Sequence, residues 1–402
     1  MIYYIIAAII GVFALSEVNL TSRNFERNTN YLLRHNKSLL NGFFSDVKKN
    51  KLMVDKTRII SLIAGSLVSV FLCVFAFSRH ETGYDYSAYS LIYDQSIHMG
   101  FNQLQIEPLY YIANYILKIA GIPFLGFLIA YTTLSIIPKI TLIYSTSTYL
   151  MVSILVYYVN CYIMYDFGVL RQAASISLCA YACIFALNRK PWKFALLVVV
   201  AMGFHVTAIV FIPFYFLASL RLSYRLIILF ALAGIVGNLL ISVLFTNVYF
   251  SGLSLAFIFD KLSLYTQAAK NSDKTGLSIG FYSKLALIMF YIASFLKNKE
   301  KTTHFGEIAC ISYLASLSGF FILKDYAVIA SRLFVYYKLS EIVLLPDLIR
   351  LQKAKTSKIL MTLFIIAIQF YQLYRDLNQD YSEVLFPYKI NPDLSLLNWF
   401  LI

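Results

Sequence analysis

The stretch IISLIAGSLVSVFLCVFAF, residues 59–77, decides the class of fold. It contains no charged side chain, and an apolar run of this length is typical of a helix that crosses a lipid bilayer. The whole chain of 402 residues is 60% hydrophobic and only 13% charged. A soluble protein of this size could not bury so much apolar surface. The sequence therefore predicts an all-α, polytopic transmembrane protein.

Apolar runs like this one recur along the chain, without a soluble domain of useful size between them. We interpret residues 1–402 as a single integral membrane domain with about ten spans and one short helical hairpin. The first run lacks a basic leader and a cleavage site, so we expect it to be retained as a span. The expected spans are residues 2–18, 59–77, 122–138, 149–164, 169–187, 225–248, 281–296, 305–323, 327–348 and 358–375.

The predicted membrane topology accounts for the net charge of +14. Short loops that remain in the cytoplasm are rich in Lys and Arg, so this charge does not indicate a nucleic-acid partner. The strongest such signal lies in residues 19–58, which hold nine Lys or Arg and three acidic residues. We expect this segment to be a cytoplasmic basic loop, which places the N-terminus outside the cell and residues 78–121 in an external polar segment.

Residues 192–220 form an apolar stretch with basic residues on both sides, NRKPWK before it and RLSYR after it. A single crossing would place the second basic flank outside, and would do the same for later basic loops. A hairpin of two legs, each about 20 Å long, keeps all these flanks in the cytoplasm. We expect the hairpin, with His205 near its outer apex; a single tilted span with a buried core His is the alternative.

Further external elements follow from this topology. Glu107 and Pro108 begin a short helix that ends near Gly121, and its length of about 20 Å is too short to cross the bilayer. We expect this helix to lie at the outer interface. Residues 249–280 form an external loop, and residues 376–402 form an external tail.

Three arginines lie at or just inside apolar stretches: Arg79, Arg171 and Arg332. Arginine near hydrocarbon is costly and is usually functional or paired. Planar guanidinium groups bind phosphate through two parallel hydrogen bonds, so together these residues could neutralise a lipid diphosphate. Pairing with Asp85, Asp166 or Asp325 is the structural alternative.

A carboxylate and tyrosines share one helical face in the external segment, because Asp85, Tyr89 and Tyr93 follow a spacing of four residues. Such a face suits carbohydrate, although tyrosines at a membrane interface are common without a binding role. Glu107 and His205 are further candidate proton acceptors. The sequence has no clustered metal ligands and no nucleotide-binding glycine loop, so we expect no metal and no cofactor.

A set of short motifs resembles the EpsG family, whose members are encoded with polysaccharide gene clusters and include Wzy-type O-antigen and capsule polymerases. The resemblance extends from about residue 60 to residue 390. Each motif is weak alone, and their order and spacing carry the likeness. The motifs contain Arg79, Gly83, Asp85 and Tyr89; Glu107 and Pro108; Leu170, Arg171 and Gln172; Phe204, His205 and Thr207; Arg332, Tyr336 and Tyr337; and Pro387 and Tyr388.

The resemblance implies a glycosyltransferase of GT-C-like architecture at the outer face of the bacterial inner membrane. Its substrates are oligosaccharide repeat units on undecaprenyl diphosphate, within the membrane lipid. Chain-length control usually needs a further protein, and nothing in this sequence identifies its docking surface. The resulting site hypothesis assigns the diphosphate to Arg79, Arg171 and Arg332, the acceptor hydroxyl to Asp85, Glu107 or His205, and sugar contacts to Tyr89, Gln172 and Tyr336.

Two other classes of function remain open. Another lipid-linked glycosyltransferase, or a membrane acyltransferase, would share the topology and an outward His. A flippase or transporter would also be polytopic, but its charged residues would be spread along a central path rather than gathered at one face. The sugars of the repeat unit, the linkage, the stereochemical course and the oligomeric state cannot be read from the sequence.

Overall fold

A computed structural model of the chain describes residues 1–21, 56–104, 106–247, 279–298, 302–378, 382–392 and 394. The expected cytoplasmic loop 19–58 and external loop 249–280 lie largely outside these residues, as does part of the tail 376–402. The described residues form helices and no β-sheet, which confirms the all-α prediction. The main helices are α1 (Ile2–Leu20), α2 (Lys56–Phe77), α3 (Tyr86–Gln95), α4 (Pro108–Ile119), α5 (Phe124–Thr146), α6 (Leu150–Tyr157), α7 (Leu170–Leu187), α8 (Pro191–Phe204), α9 (Tyr224–Asn247), α10 (Ile279–Lys297), α11 (His304–Ile322), α12 (Ala327–Lys338), α13 (Glu341–Leu351) and α14 (Lys355–Asn378).

Eight of the described helices are long and apolar enough to cross a membrane, so this is a multi-pass membrane protein. They are α1, α2, α5, α7, α9, α10, α11 and α14. The expected short interfacial helix is also present as α4, which begins at Pro108 and ends before Gly121. Gly121 has φ of +70°, a conformation that favours glycine and stops a helix.

Two of the ten expected spans take a different form. The span expected at 149–164 begins as α6 and continues as a π-helix, Tyr158–Asp166. The span expected at 327–348 is not one helix, because α12 ends at Lys338 and α13 begins at Glu341.

Proline explains part of the second difference. Pro346 lies inside α13 and has no N–H to donate to the carbonyl four residues earlier, that of Ile342. The Ser153 hydroxyl of α6 donates to this carbonyl at 2.6 Å. At the break itself, the Ser340 hydroxyl donates to the Tyr337 carbonyl at 2.7 Å. Hydroxyl groups thus supply hydrogen bonds that a continuous helix would make with its own backbone.

The predicted hairpin in residues 192–220 is confirmed. Helix α8 ends at Phe204, and after His205 the chain turns back as a 3-10 helix, Val206–Phe211. Phe194, near the start of α8, packs against the Tyr215 ring at 5.5 Å between centroids. The Arg189 guanidinium donates to the Tyr215 carbonyl at 3.1 Å. The two basic flanks therefore lie at one end of the hairpin and His205 at the other.

The returning leg is irregular for reasons visible in its sequence, VTAIVFIPF. Its β-branched residues disfavour a helix, and Pro213 cannot donate a backbone hydrogen bond. Only a single further α-helical turn forms, Phe214–Leu217.

Helix α6 lies at the centre of the bundle. All of its residues are buried, as expected for a helix that is apolar on every face. Helices α1 and α13 pack along it, and Glu17 of α1 accepts the backbone N–H groups of Leu150 and Met151, at 3.0 and 2.8 Å. A buried carboxylate thus caps the first turn of the central helix.

The tail segment 384–391 docks onto segment 78–83, which follows α2. The His80 N–H donates to the Lys389 carbonyl at 2.8 Å, and the Gly83 N–H donates to the Val384 carbonyl at 2.9 Å. The Tyr388 ring stacks on Phe75 with centroids 4.4 Å apart. This contact fixes the approach to α3 and thereby the position of Asp85.

Candidate active site

The side chains that sequence reasoning selected gather around the first turns of α7. Arg171 lies in the first turn and donates to the Glu107 carboxylate, with 2.9 Å between Nη1 and Oε2. Glu107 is the residue that precedes α4, so this ion pair joins the short interfacial helix to the bundle. The prediction placed both residues at one face, and the structure brings them into direct contact.

Arg171 is flanked by a second carboxylate and by aromatic rings. Its guanidinium lies over the Tyr110 ring, 5.5 Å from the centroid. Asp85, at the start of α3, acts on it electrostatically. The side chain remains 23% exposed, and its Nε is buried with no hydrogen-bond partner among the described residues. Arg171 thus keeps unused hydrogen-bonding capacity beside two carboxylates.

Asp85 accepts a hydrogen bond from the Tyr89 hydroxyl, at 3.2 Å from Oδ2. Burial raises the pKa of the Tyr89 phenol well above its usual value, so Tyr89 remains a neutral donor at physiological pH. Asp85 itself is half-buried, whereas Glu107 is buried against Arg171.

The shared face of Asp85, Tyr89 and Tyr93 is present, but the two tyrosines face the protein. Tyr89 and Tyr93 are 1% and 0% exposed, and the Tyr93 hydroxyl donates to the Ile122 carbonyl at 2.6 Å. The predicted contact of Tyr89 with a sugar is therefore not made by an exposed ring in this structure. The ring supports Asp85 instead.

A pocket of about 530 Å³ opens on the other side of α3, and sequence reasoning missed it. Its polar wall comes from Ser87, Ser90 and Asp94, which follow helical spacing and could have been recognised as a second face. Asp94 also pairs with Lys118 at 2.6 Å. The Phe124 ring supplies an aromatic wall.

His205 belongs to a hydrogen-bonded network that reaches α7 at Ser175, one turn beyond Arg171. Its Nδ1 lies 2.6 Å from the Thr207 hydroxyl, which lies 2.9 Å from the Tyr336 hydroxyl. The Ser175 hydroxyl lies 3.1 Å from the same Tyr336 oxygen. His205 and Tyr336 are both buried, at 8% and 4% exposure. The network ties the hairpin apex to α7 and α12.

Arg332 lies on a different side of α7 from Arg171. Its backbone carbonyl accepts the Gln172 amide at 2.6 Å, and its guanidinium acts electrostatically on Tyr165 of the π-helix. The Gln172 Oε1 is buried without a partner among the described residues. The joint binding of one diphosphate by Arg171 and Arg332 stays a prediction.

Arg79 is enclosed by the protein. It is 1% exposed, donates to the Ala76 carbonyl and lies over the Phe167 ring at 4.9 Å. Burial lowers the pKa of this guanidinium. This placement favours a structural role for Arg79 over direct contact with a diphosphate.

Asp166, considered above as a partner for the arginines, pairs with a different cation. The Lys139 ammonium lies 2.5 Å from its Oδ1, and the Tyr157 hydroxyl donates to Oδ2 at 2.8 Å. Both charged side chains are fully buried. Lys139 within an apolar run was a signal for such a pair, because charges inside a membrane protein usually find partners.

The described residues contain no group of three or more His, Cys, Asp or Glu side chains placed to hold a metal ion.

Comparison with known proteins identifies the family. A family model for the EpsG family matches residues 62–390. The chain belongs to the EpsG family. This is a family of polysaccharide polymerase-like proteins, so a glycosyltransferase-like polymerase activity is the general expectation for the chain. No curated protein and no solved structure matches the chain.

The matched range contains every EpsG-like motif quoted above, from Arg79 to Tyr388. In the structure several of these motifs are in contact: Glu107 pairs with Arg171, the Gln172 amide donates to the Arg332 carbonyl, and the Thr207 hydroxyl lies 2.9 Å from the Tyr336 hydroxyl. Motif residues of this EpsG protein that are far apart in the sequence are thus neighbours in the fold.

Proposed function

We propose that this EpsG protein is a polysaccharide polymerase of the bacterial inner membrane. It transfers the growing glycan from undecaprenyl diphosphate to a sugar hydroxyl of another lipid-linked repeat unit, at the outer face. The observation that carries the proposal is Arg171, a partly exposed guanidinium that pairs with Glu107 at 2.9 Å and lies within electrostatic range of Asp85. Arg171 supplies a cation for the departing diphosphate, and a neighbouring carboxylate supplies an acceptor for the hydroxyl proton.

The reaction requires one bond to form and one to break. The acceptor oxygen bonds to the anomeric carbon of the donor sugar, and the bond from that carbon to the diphosphate oxygen breaks. The diphosphate leaves with the electron pair, and the hydroxyl proton passes to a base. Since the leaving group is already activated, the protein must mainly stabilise the diphosphate charge and orient the hydroxyl.

Asp85 is the base we favour among Asp85, Glu107 and His205. Glu107 is engaged by Arg171 at 2.9 Å, and His205 is buried in the network with Thr207. Asp85 is half-buried and accepts a neutral tyrosine hydroxyl at 3.2 Å. The Asp85 carboxylate therefore has more capacity to accept a hydrogen bond from an incoming sugar hydroxyl than the Glu107 carboxylate has.

The test uses purified protein in lipid with its lipid-linked repeat unit, and compares wild type with Arg171→Ala. We expect a ladder of products from wild type and a loss of at least about 100-fold in rate for the variant, because a charge-stabilising donor is removed. The matched control is Lys118→Ala, which removes a partly exposed cation paired with Asp94. The control should retain the ladder.

The same assay separates the alternatives. A product extended by one transfer only would indicate a one-step glycosyltransferase, and no transfer by folded wild-type protein would contradict the proposal. Adding a chelator tests our further expectation that the reaction needs no divalent metal; loss of the ladder in chelator would overturn that expectation.

A further inference from the structure

The pocket of about 530 Å³ borders α3 on the side opposite Asp85. Three separate parts of the chain enclose it: segment 80–94, the start of α5, and the docked tail at Asn391. Its volume lies within the range of sites that bind small molecules. None of the groups of the proposed reaction centre lines it. The pocket is therefore a second space beside that centre.

The wall that α3 contributes to the pocket is polar. Ser87, Ser90 and Asp94 follow helical spacing, so their side chains lie on one face of the helix. The hydroxyl groups of Ser87 and Ser90 form no hydrogen bond with other described residues. A serine hydroxyl can both donate and accept, and a carboxylate accepts. This wall can therefore bind the hydroxyl groups of a sugar.

Two carboxylates of the lining are held by lysines that lie outside it. Glu81 accepts the Lys389 ammonium at 2.9 Å, and Asp94 accepts the Lys118 ammonium at 2.6 Å. The hydrogen bond from Lys389 lowers the pKa of the Glu81 carboxyl, so this group stays an acceptor at neutral pH. Partly exposed pairs of this kind contribute little to stability, so removal of Lys118 would leave the Asp94 carboxylate in the wall.

Another wall of the pocket is an aromatic ring in a fixed position. Phe124 packs edge to face with Tyr86, with centroids 5.4 Å apart, and stacks on Phe127 at 5.2 Å. Tyr93 packs against the same ring at 5.8 Å. Phe124 is half-buried, and it lines the pocket. A ring supported by three others is preorganised to pack against the apolar face of a sugar.

The charge of the lining distinguishes between classes of ligand. It contains two carboxylates, Glu81 and Asp94, and the imidazole of His80, and among the described residues no Lys or Arg lines the pocket. A phosphate or an acidic sugar would place its negative charge beside two carboxylates, which is unfavourable. A neutral sugar offers hydroxyl donors to these carboxylates and an apolar face to Phe124. The pocket thus fits a neutral sugar better than a lipid phosphate.

Resting on the proposed function, we infer that this pocket binds a neutral sugar of the acceptor repeat unit. Asp85, the base we favour, receives the acceptor hydroxyl on the opposite side of α3. A helix with its side chains is about 10 Å across, so an oligosaccharide spans the two places and a single sugar does not. The pocket holds a second sugar of the same repeat unit and thereby selects among acceptors.

The test measures binding of the repeat-unit oligosaccharide, released from its lipid diphosphate by mild acid, to the protein in lipid nanodiscs. Saturation-transfer NMR reports the binding. Ser87→Trp fills the pocket from an exposed position of α3, and we expect it to weaken binding about tenfold or more. Ala88→Trp is the matched control, because Ala88 is the next exposed residue of α3 and does not line the pocket. It should bind like wild type.

A milder variant separates lost hydrogen bonds from a filled space. Ser87→Ala/Ser90→Ala removes only the two hydroxyl groups and should weaken binding roughly fivefold or more. The same spectra show which sugar lies closest to the protein. We expect the strongest transfer to a neutral sugar, and the strongest transfer to an acidic sugar would contradict the inference.

A second arm measures binding of undecaprenyl diphosphate and separates the inference from the proposed function. We expect Ser87→Trp to retain this lipid and Arg171→Ala to lose it. Oligosaccharide binding by Ser87→Trp equal to that of wild type, or none by wild type, would overturn the inference and leave the Arg171 assignment intact. Loss of the lipid from Ser87→Trp would also overturn it, because the pocket would then be a headgroup site. Lipid retained by Arg171→Ala, with oligosaccharide lost from Ser87→Trp, would support the pocket and contradict the Arg171 assignment.

A kinetic measurement adds a further readout. With separate donor and acceptor lipids, Ser87→Trp should raise the acceptor KM by about tenfold or more, with the donor KM and kcat nearly unchanged, because only ground-state binding of one substrate is weakened. A rise of equal size in the donor KM would contradict the assignment of the pocket to the acceptor.

Discussion

At the scale of single residues, the geometry of the candidate site depends on which side chains hold its two carboxylates, Asp85 and Glu107. Tyr89 was expected to contact a sugar, but it is buried and holds Asp85 through its hydroxyl. Asp85 and Glu107 then differ in availability, since Glu107 is held by Arg171 at 2.9 Å. Asp85, the carboxylate that we propose as the base, is thus distinguished from Glu107 by its neighbours rather than by its residue type.

Tyr89→Phe tests this supporting role. The ring remains in the core while the donor to Asp85 is lost, so we expect a stability loss of about 1 kcal/mol and a polymerisation rate about tenfold lower. Tyr93→Phe is the matched control, because it removes a buried hydroxyl that donates to the Ile122 carbonyl and not to Asp85. Equal rates for the two variants would show that the Tyr89 hydroxyl does not position Asp85.

At the scale of elements, the approach of segment 78–83 to the π-helix determines where α3 begins. Gly83 has φ of +115°, and a Cβ there would lie 2.9 Å from the Phe167 carbonyl oxygen. Any other residue would be strained and would displace the segment that carries Asp85.

Gly83→Ala should therefore cost about 1–3 kcal/mol of stability and most of the activity. Gly100→Ala is the control, because a Cβ added at Gly100 would meet no atom within 4 Å and should change stability by about 0.5 kcal/mol or less. Thermal unfolding can be followed with a thiol-reactive dye, since Cys161, Cys179 and Cys310 are buried in the folded protein. Equal melting temperatures for the two variants would contradict the close approach.

At the scale of the whole molecule, the hairpin determines the sidedness of every later loop. Arg221 lies 3.9 Å from Glu307 at the start of α11, at the same end of the hairpin as Arg189. From the positive-inside rule we expect this end to lie in the cytoplasm.

The cysteine introduced by Arg221→Cys should accordingly resist a membrane-impermeant thiol reagent applied from outside. Ser87→Cys, on the exposed face of α3, should react from outside. The parent protein, with its native cysteines, provides the background. External labelling of Arg221→Cys together with protection of Ser87→Cys would reverse the topology proposed here.

The sequence predicted much of this architecture, because apolar length and basic flanks act over whole segments. Helix limits, the interfacial helix and the hairpin follow from such patterns. The break between α12 and α13, at Leu339 and Ser340, could not be predicted from these patterns, since it depends on hydroxyl groups from other turns and helices.

The site was only partly predictable for the same reason. The pairing of Arg171 with Glu107 and of Lys139 with Asp166 spans 64 and 27 residues of sequence. Helical spacing placed Tyr89 and Tyr93 on one face but could not show that this face is buried. Motif order selected the residues, and tertiary packing decided which of them meet.

The docking of segment 384–391 onto segment 78–83 has a consequence for biosynthesis. The two partners of the Ser78 and Tyr388 contact are 310 residues apart, so the ribosome makes one long before the other. The segment that carries Asp85 is synthesised early, and its contacts with segment 384–391 can form only after nearly the whole bundle has been made. It follows that a nascent chain without its last residues lacks the contacts that hold the segment leading to Asp85.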